Sequence, residues 1–200
     1  MMYSPFRHAP SILSKKKLIH LTFFITKRCN LRCPFCFYLT DKDQSPPSGN
    51  ELNIAEIKRI SRSMGNLLWL AFSGGEIFLR DDLAEISKVF YENNKPAIML
   101  FPTNGMLPDL IRDTTEEILR HCSKSVVAVK LSLDGPAEAH DRLRNRPGCF
   151  EKTMATYRNL EGLIDRYPNF ELGINTVFCS ANQDLMDEII DLVAGLKNIK

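Results

Sequence analysis

Residues 18–36 read Leu18-Ile-His-Leu-Thr-Phe-Phe-Ile25, then Thr26-Lys-Arg28, then Cys29-Asn-Leu-Arg-Cys33-Pro-Phe-Cys36. The first eight are mostly apolar, aromatic or β-branched, with the length and composition of a strand. Three thiols follow close behind it. The same arrangement, an apolar run with polar groups at its exit, recurs down the chain. Residues 67–72 run into Ser73-Gly74-Gly75-Glu76, and residues 97–101 into Thr103-Asn104-Gly105. Residues 126–133 carry Ser132 and lead to Asp134-Gly135, and residues 172–178 contain Asn175. The runs are near-continuous in apolar character, which predicts strands of a parallel sheet covered on both faces.

Helix-length amphipathic stretches separate these runs. Residues 52–64 place Ile54, Ile57 and Met64 on one side and end at Gly65. Asp81 is placed to cap a helix that buries Leu83, Ile86 and Phe90, and Pro108 suits the first turn of the next. Residues 150–167 read as a fourth helix, and Leu185, Ile189, Leu192, Val193 and Leu196 stripe a fifth. Strand and helix alternate five times, which argues for right-handed βαβ units and an α/β fold, a partial β/α barrel. From Ser73 to Thr103 is 30 positions and from Thr103 to Ser132 is 29. A barrel of this kind spends about 31 residues per unit.

With 200 residues, 44% of them hydrophobic and 25% charged, the chain has the makings of one folded core. Residues 1–17 read as an N-terminal tail and residues 18–200 as a single domain. Residues 41–50 are polar and turn-rich and read as a mobile surface loop. Lys plus Arg number 26 against 24 for Asp plus Glu, a net charge of +2. That balance leaves no footprint for nucleic acid or an anionic membrane. No apolar run nears the ~20 residues of a membrane span, and residues 1–17 lack a signal-peptide core. A cytoplasmic protein is the expectation.

Six cysteines fall as a tight trio, Cys29, Cys33 and Cys36, and three scattered residues, Cys122, Cys149 and Cys179. Soft thiolates on one loop suit a metal centre: an Fe–S cluster, zinc or copper(I). A structural zinc usually takes four protein ligands, and no His lies between His20 and His121. Zinc completed by one of the distant cysteines is the competing reading, and His121 and Cys122 read more simply as surface or interface residues. Gly74 and Gly75 would let a ligand lie against bare backbone, with Glu76 beside them to accept from an ammonium group. Two-residue alternation puts Ser132 and Asp134 on one side of the fourth strand, where they suit ribose hydroxyls or an amino-acid head group. Asn104 and Gly135 serve equally well as turn residues. Asn175 is either a ligand contact or part of a buried network, and Arg144 could clamp a carboxylate. Nearly all these groups sit at strand C-termini, the end that carries ligands in β/α folds.

The Cys29-x3-Cys33-x2-Cys36 trio, with Phe35 before the last cysteine, resembles the signature of the radical S-adenosylmethionine (radical SAM) enzymes. The resemblance extends through Gly74-Gly75-Glu76, Thr103-Asn104-Gly105, Ser132-Leu-Asp134-Gly-Pro136 and His140-Asp141-x2-Arg144. It is greatest for the subgroup that often carries a SPASM or twitch auxiliary-cluster domain, which includes maturases of ribosomal peptides and of sulfatases. It implies that Cys29, Cys33 and Cys36 hold three irons of a [4Fe–4S] cluster whose fourth iron is chelated by S-adenosyl-L-methionine. Gly74, Gly75 and Glu76 would then receive the methionine ammonium, and Thr103, Ser132 and Asp134 the head group or ribose. Asn175 would line the same cavity, Arg144 would engage the cofactor, and Phe35 would contact the adenine. Reductive SAM cleavage would give a 5′-deoxyadenosyl radical that abstracts hydrogen from a peptide or protein substrate, with a flavodoxin or ferredoxin as reductant. The alternative is a non-catalytic metal-binding or electron-transfer module. The family usually has six β/α units, so the chain is expected to stop before the sixth, leaving its fifth strand uncovered and prone to self-association.

Overall fold

The computed structural model describes residues 2–14, 17–38 and 51–200; residues 41–50, read above as a loop, lie outside them. Five parallel strands lie side by side in chain order: β1 (His20–Thr26), β2 (Trp69–Gly74), β3 (Ile98–Thr103), β4 (Val126–Ser132) and β5 (Phe170–Asn175). A short helix α1 (Ala9–Ser14) precedes β1. The connections carry α2 (Ile54–Arg62), α3 (Leu83–Asn94), α4 (Pro108–His121), α5 (Ala137–Arg144) and α6 (Cys149–Ile164), and α7 (Met186–Ala194) follows β5. Each expected strand is present, so all five exits point the same way.

Burial alternates along β1 and β3, in contrast to the two-sided cover expected from their apolar runs. One face packs under the helices: Leu70 and Phe72 of β2, Met99 and Phe101 of β3, and Val127, Val129 and Leu131 of β4 are wholly buried there. Phe90 of α3 closes edge-on against Phe23 and Phe72, with ring centroids 5.6 and 6.3 Å apart. The other face lines the hollow of a partial barrel and is only half covered, which is why Phe24 stays exposed.

Helix ends follow local chemistry in part. Asn53 Oδ1 accepts from the N–H groups of Ala55 and Glu56, while Glu56 accepts from Asn53 N–H at 2.9 Å, a complete capping box on α2. Pro108 opens α4 as expected. Asp81 does not cap α3; Asp82 precedes it, and its carboxylate is held by Arg80 at 2.7 Å and caps nothing. Residues 137–144 form a full helix, α5, ended by Asn145 in the left-handed conformation (φ 53°).

The N-terminal residues dock on the base of the sheet. Tyr3 N–H donates to Lys124 O at 2.7 Å, Arg7 donates to Leu67 O and Lys95 O, and His8 is buried. At the other edge Ile199 pairs in parallel with Leu172, and Lys200 N–H donates to Leu172 O at 2.9 Å. Part of the β5 edge is therefore taken, where the sequence suggested it bare.

Candidate functional site

A cleft of about 430 Å³ opens at the strand exits, and all three clustered cysteines line it. The loop that carries them continues the β1–β2 pairing beyond the strands. Gly75 N–H donates to Thr26 O at 2.9 Å and Glu76 N–H to Arg28 O at 2.8 Å. A Cβ on Gly74 would stand 2.2 Å from Thr26 O, and one on Gly75 2.1 Å from Arg28 O. Gly74 also has φ 133°, closed to other residues. One bare side of the glycine pair is thus filled by the cysteine loop, which corrects the expectation that it is simply kept open for a ligand; both glycines still line the cleft.

Behind this loop lies a polar network absent from the sequence reading. Arg80, nearly buried, donates to Ile25 O at 2.9 Å and Leu52 O at 3.1 Å and pairs with Asp82 and Glu51. Glu51 also receives Thr26 Oγ1 and the Arg28 guanidinium. These residues tie the exit of β1 to the segment leading into α2. Little in the sequence marks them: apart from Arg80 and Asp82, two positions apart, the links to Glu51, Leu52 and Ile25 span 23 to 55 positions.

Glu76 is 1% exposed. Its Oε1 accepts from Thr103 Oγ1 at 2.9 Å and Phe78 N–H at 3.2 Å, and its Oε2 from Asn104 N–H at 2.7 Å. Burial pushes its carboxyl up to about 7 against the pull of these donors. Asn104 does both things the sequence left open: its Oδ1 accepts from Met106 N–H at 3.0 Å, a turn bond, and it lines the cleft, its Nδ2 donating to Asn30 Oδ1 at 2.7 Å with Cys29 Sγ at 3.9 Å. Asn30, between the cysteines, escaped the sequence reading.

On the other side, Ser132 and Asn175 are register partners on β4 and β5, and both line the cleft with Thr176 and Val177. Asp134 does not join them. β4 ends at Ser132, so strand alternation no longer governs Asp134, and the residue is 0% exposed. Its Oδ2 takes Arg144 Nε at 2.6 Å, its Oδ1 takes Val177 N–H at 2.8 Å, and its own N–H donates to His140 Nδ1 at 3.1 Å. Arg144 does line the cleft, its guanidinium 5.2 Å from the Phe35 ring centroid and 3.9 Å from Cys33 Sγ. Burial raises the Cys29 and Cys33 thiols above their usual range, with Arg144 pulling Cys33 back.

The donor set separates the metal alternatives. Cys122 and Cys149 are fully buried, so of the surface and interface places open to Cys122 the surface is ruled out, and neither they nor Cys179 line the cleft. Among the described residues no three His, Cys, Asp or Glu side chains are grouped around a single ion. Thiolates that each take a different iron need not meet at one point, whereas zinc ligands must. Three cleft-lining sulfurs without a fourth fit a cluster with one open iron.

A profile of the Radical SAM superfamily matches residues 23–193. The antilisterial bacteriocin subtilosin biosynthesis protein AlbA of Bacillus subtilis is 31% identical over 145 residues, 71% of this chain and 30% of that protein. An AdoMet-dependent heme synthase of Methanosarcina barkeri is 32% identical over 178 residues, 86% of this chain and 46% of its own length. The chain thus spans under half the length of these relatives. Streptococcus suis SuiB bound to its precursor peptide SuiA shares the fold, with a TM-score of 0.66 at 17% identity, over 92% of this chain and 39% of SuiB. No helix among the described residues is long and apolar enough to cross a membrane.

Proposed function

Because the chain belongs to the radical SAM superfamily, whose members use a [4Fe–4S] cluster and S-adenosylmethionine, we propose that its rim cleft holds both and that the whole protein abstracts hydrogen from a peptide or protein substrate. The observation that carries this reading is the single cleft shared by three thiols and the polar exits of β2, β3, β4 and β5. Cys29, Cys33 and Cys36 would hold the cluster. Bound together, the two cofactors supply one-electron cleavage of SAM and a hydrogen-abstracting radical.

The chain's own residues orient and shield. Glu76 would accept the SAM ammonium, with Thr103 holding its carboxylate in place and Gly74 and Gly75 forming the adjacent wall. Arg144 would engage the carboxylate, a bidentate partner for its guanidinium. Ser132 and Asn175 would reach the ribose, and Phe35 would bound the adenine. Asp134 acts through Arg144, not by touching the cofactor. The peptide class is supported by the bacteriocin and precursor-peptide relatives. A flavodoxin or ferredoxin would serve as reductant, in the cytoplasm, where thiols such as the buried Cys122 and Cys149 stay reduced.

Anaerobic reconstitution tests the reading. Four irons and four sulfides per chain are expected, and dithionite with SAM should yield methionine and 5′-deoxyadenosine. A cluster that never cleaves SAM would make the protein an electron carrier, and zinc in place of iron would overturn the cluster.

A further inference from the structure

Arg144 is the one guanidinium lining the cleft among the described residues, and both ends of its residue grip the cysteine loop. Its Nη1 stands 3.9 Å from Cys33 Sγ, and its main-chain oxygen lies 3.9 Å from the same sulfur. The next residue, Asn145, reaches Arg32 O at 3.5 Å. The guanidinium has little freedom: Asp134 holds Nε at 2.6 Å, and the Phe35 ring lies 5.2 Å from its centre. The charges are therefore ordered, with the cation next to the sulfur and the carboxylate on the side of Nε, and both are almost entirely out of water.

On the reading that Cys33 ligates the cluster, we propose that the Arg144–Asp134 pair sets the cluster's reduction potential, the guanidinium raising it and the carboxylate lowering it. Reduction adds one electron, from an external low-potential donor, and so one unit of negative charge beside Cys33. A cation that never deprotonates stabilises the reduced form more than the oxidised form. Net charge and hydrogen bonds to the sulfurs are among the levers that set such potentials. Poor solvation keeps both charges effective at this range.

The test needs neither SAM nor turnover. The reconstituted protein is titrated with dithionite, one electron per cluster, and the reduced fraction is read by electron paramagnetic resonance. Arg144→Gln should lower the midpoint, on the order of tenfold in the reduced-to-oxidised ratio, or about 59 mV for a one-electron couple. Arg144→Lys, which keeps the charge, should stay closer to wild type. Asp134→Asn, which removes the opposing charge, should move the midpoint up. Unchanged midpoints, or shifts of the same sign in Arg144→Gln and Asp134→Asn, would overturn the proposal. So would loss of the cluster from both variants, since the pair would then build the loop without tuning the cluster. If one variant alone loses the cluster, the sign of the other decides. A wild-type chain that takes up no four-iron cluster would instead remove the cluster reading itself, a result read without any variant.

Discussion

Glu76 and Asp134 are both carboxylates past the end of a strand, both buried, and they meet opposite company. Glu76 has three neutral donors, from Thr103, Phe78 and Asn104, and burial holds its carboxyl up to about 7. Asp134 has a guanidinium at 2.6 Å as well as the Val177 N–H. The first is a buried acid still short of a cation; the second already has one. A cationic ligand entering the cleft gains most beside Glu76, while Asp134 spends its charge on holding Arg144 in position. Residue type and strand-end placement alone do not tell the two apart; the partner does.

The largest expected effect removes what both sides of the cleft serve. Replacing any one of Cys29, Cys33 or Cys36 by Ala should abolish the SAM-binding cluster, while Cys149→Ala should retain it, as read from iron and sulfide content after anaerobic reconstitution. Equal content in a Cys33→Ala chain and wild type would dissolve the comparison. Next, Asp134→Ala leaves a buried guanidinium without its counter-ion and should cost about 3–5 kcal/mol in chemical denaturation of the cluster-free protein. A loss no larger than that of an exposed ion pair, such as Lys58→Ala against Glu85, would mean Arg144 finds another partner.

Glu76→Gln sharpens the other half. It removes a charge-assisted bond to an ammonium, so SAM should bind the reconstituted variant roughly tenfold more weakly, the scale of about 1.5 kcal/mol. Unchanged affinity by equilibrium binding would return Glu76 to a purely structural part. The same residue carries a pH signature. The folded protein keeps the Glu76 proton to a higher pH than the unfolded chain does. Its contribution to stability is therefore complete below the ordinary carboxylate range and is lost as pH rises towards and through about 7. Thermal melts of the cluster-free protein should show that decline between about pH 4.5 and 7, and Glu76→Gln should flatten it.

Much of this was legible in the sequence because it depends on short-range order. Strand exits carry their polar residues within two or three positions of an apolar run, so the rim and most of its lining could be read directly. Asp134 was misplaced because the two-residue rule holds only while the strand lasts, and β4 stops at Ser132. The glycine pair was half understood: its need for bare backbone was visible, but the segment filling one side, 26–29, lies far back in the chain. Asn30 and Glu51 left no mark because their partners are distant in sequence, and of the Arg80 partners only Asp82 is near. The half-covered second face of the sheet was hidden too, since apolar residues fill both faces of a strand whether the second face meets helices or an open hollow.

The seam between Gly74-Gly75 and the segment 26–29 makes two stretches of chain, nearly fifty positions apart, a single part for purposes of engineering. A cysteine loop transplanted from another protein onto this sheet would arrive with its own backbone path and would need the matching pair of glycines to travel with it. A loop grafted alone onto side chains at 74 and 75 would meet Cβ atoms where carbonyl oxygens now stand at 2.2 and 2.1 Å. The unit of exchange between proteins of this kind is therefore the clasp of both segments, not the run of cysteines by itself.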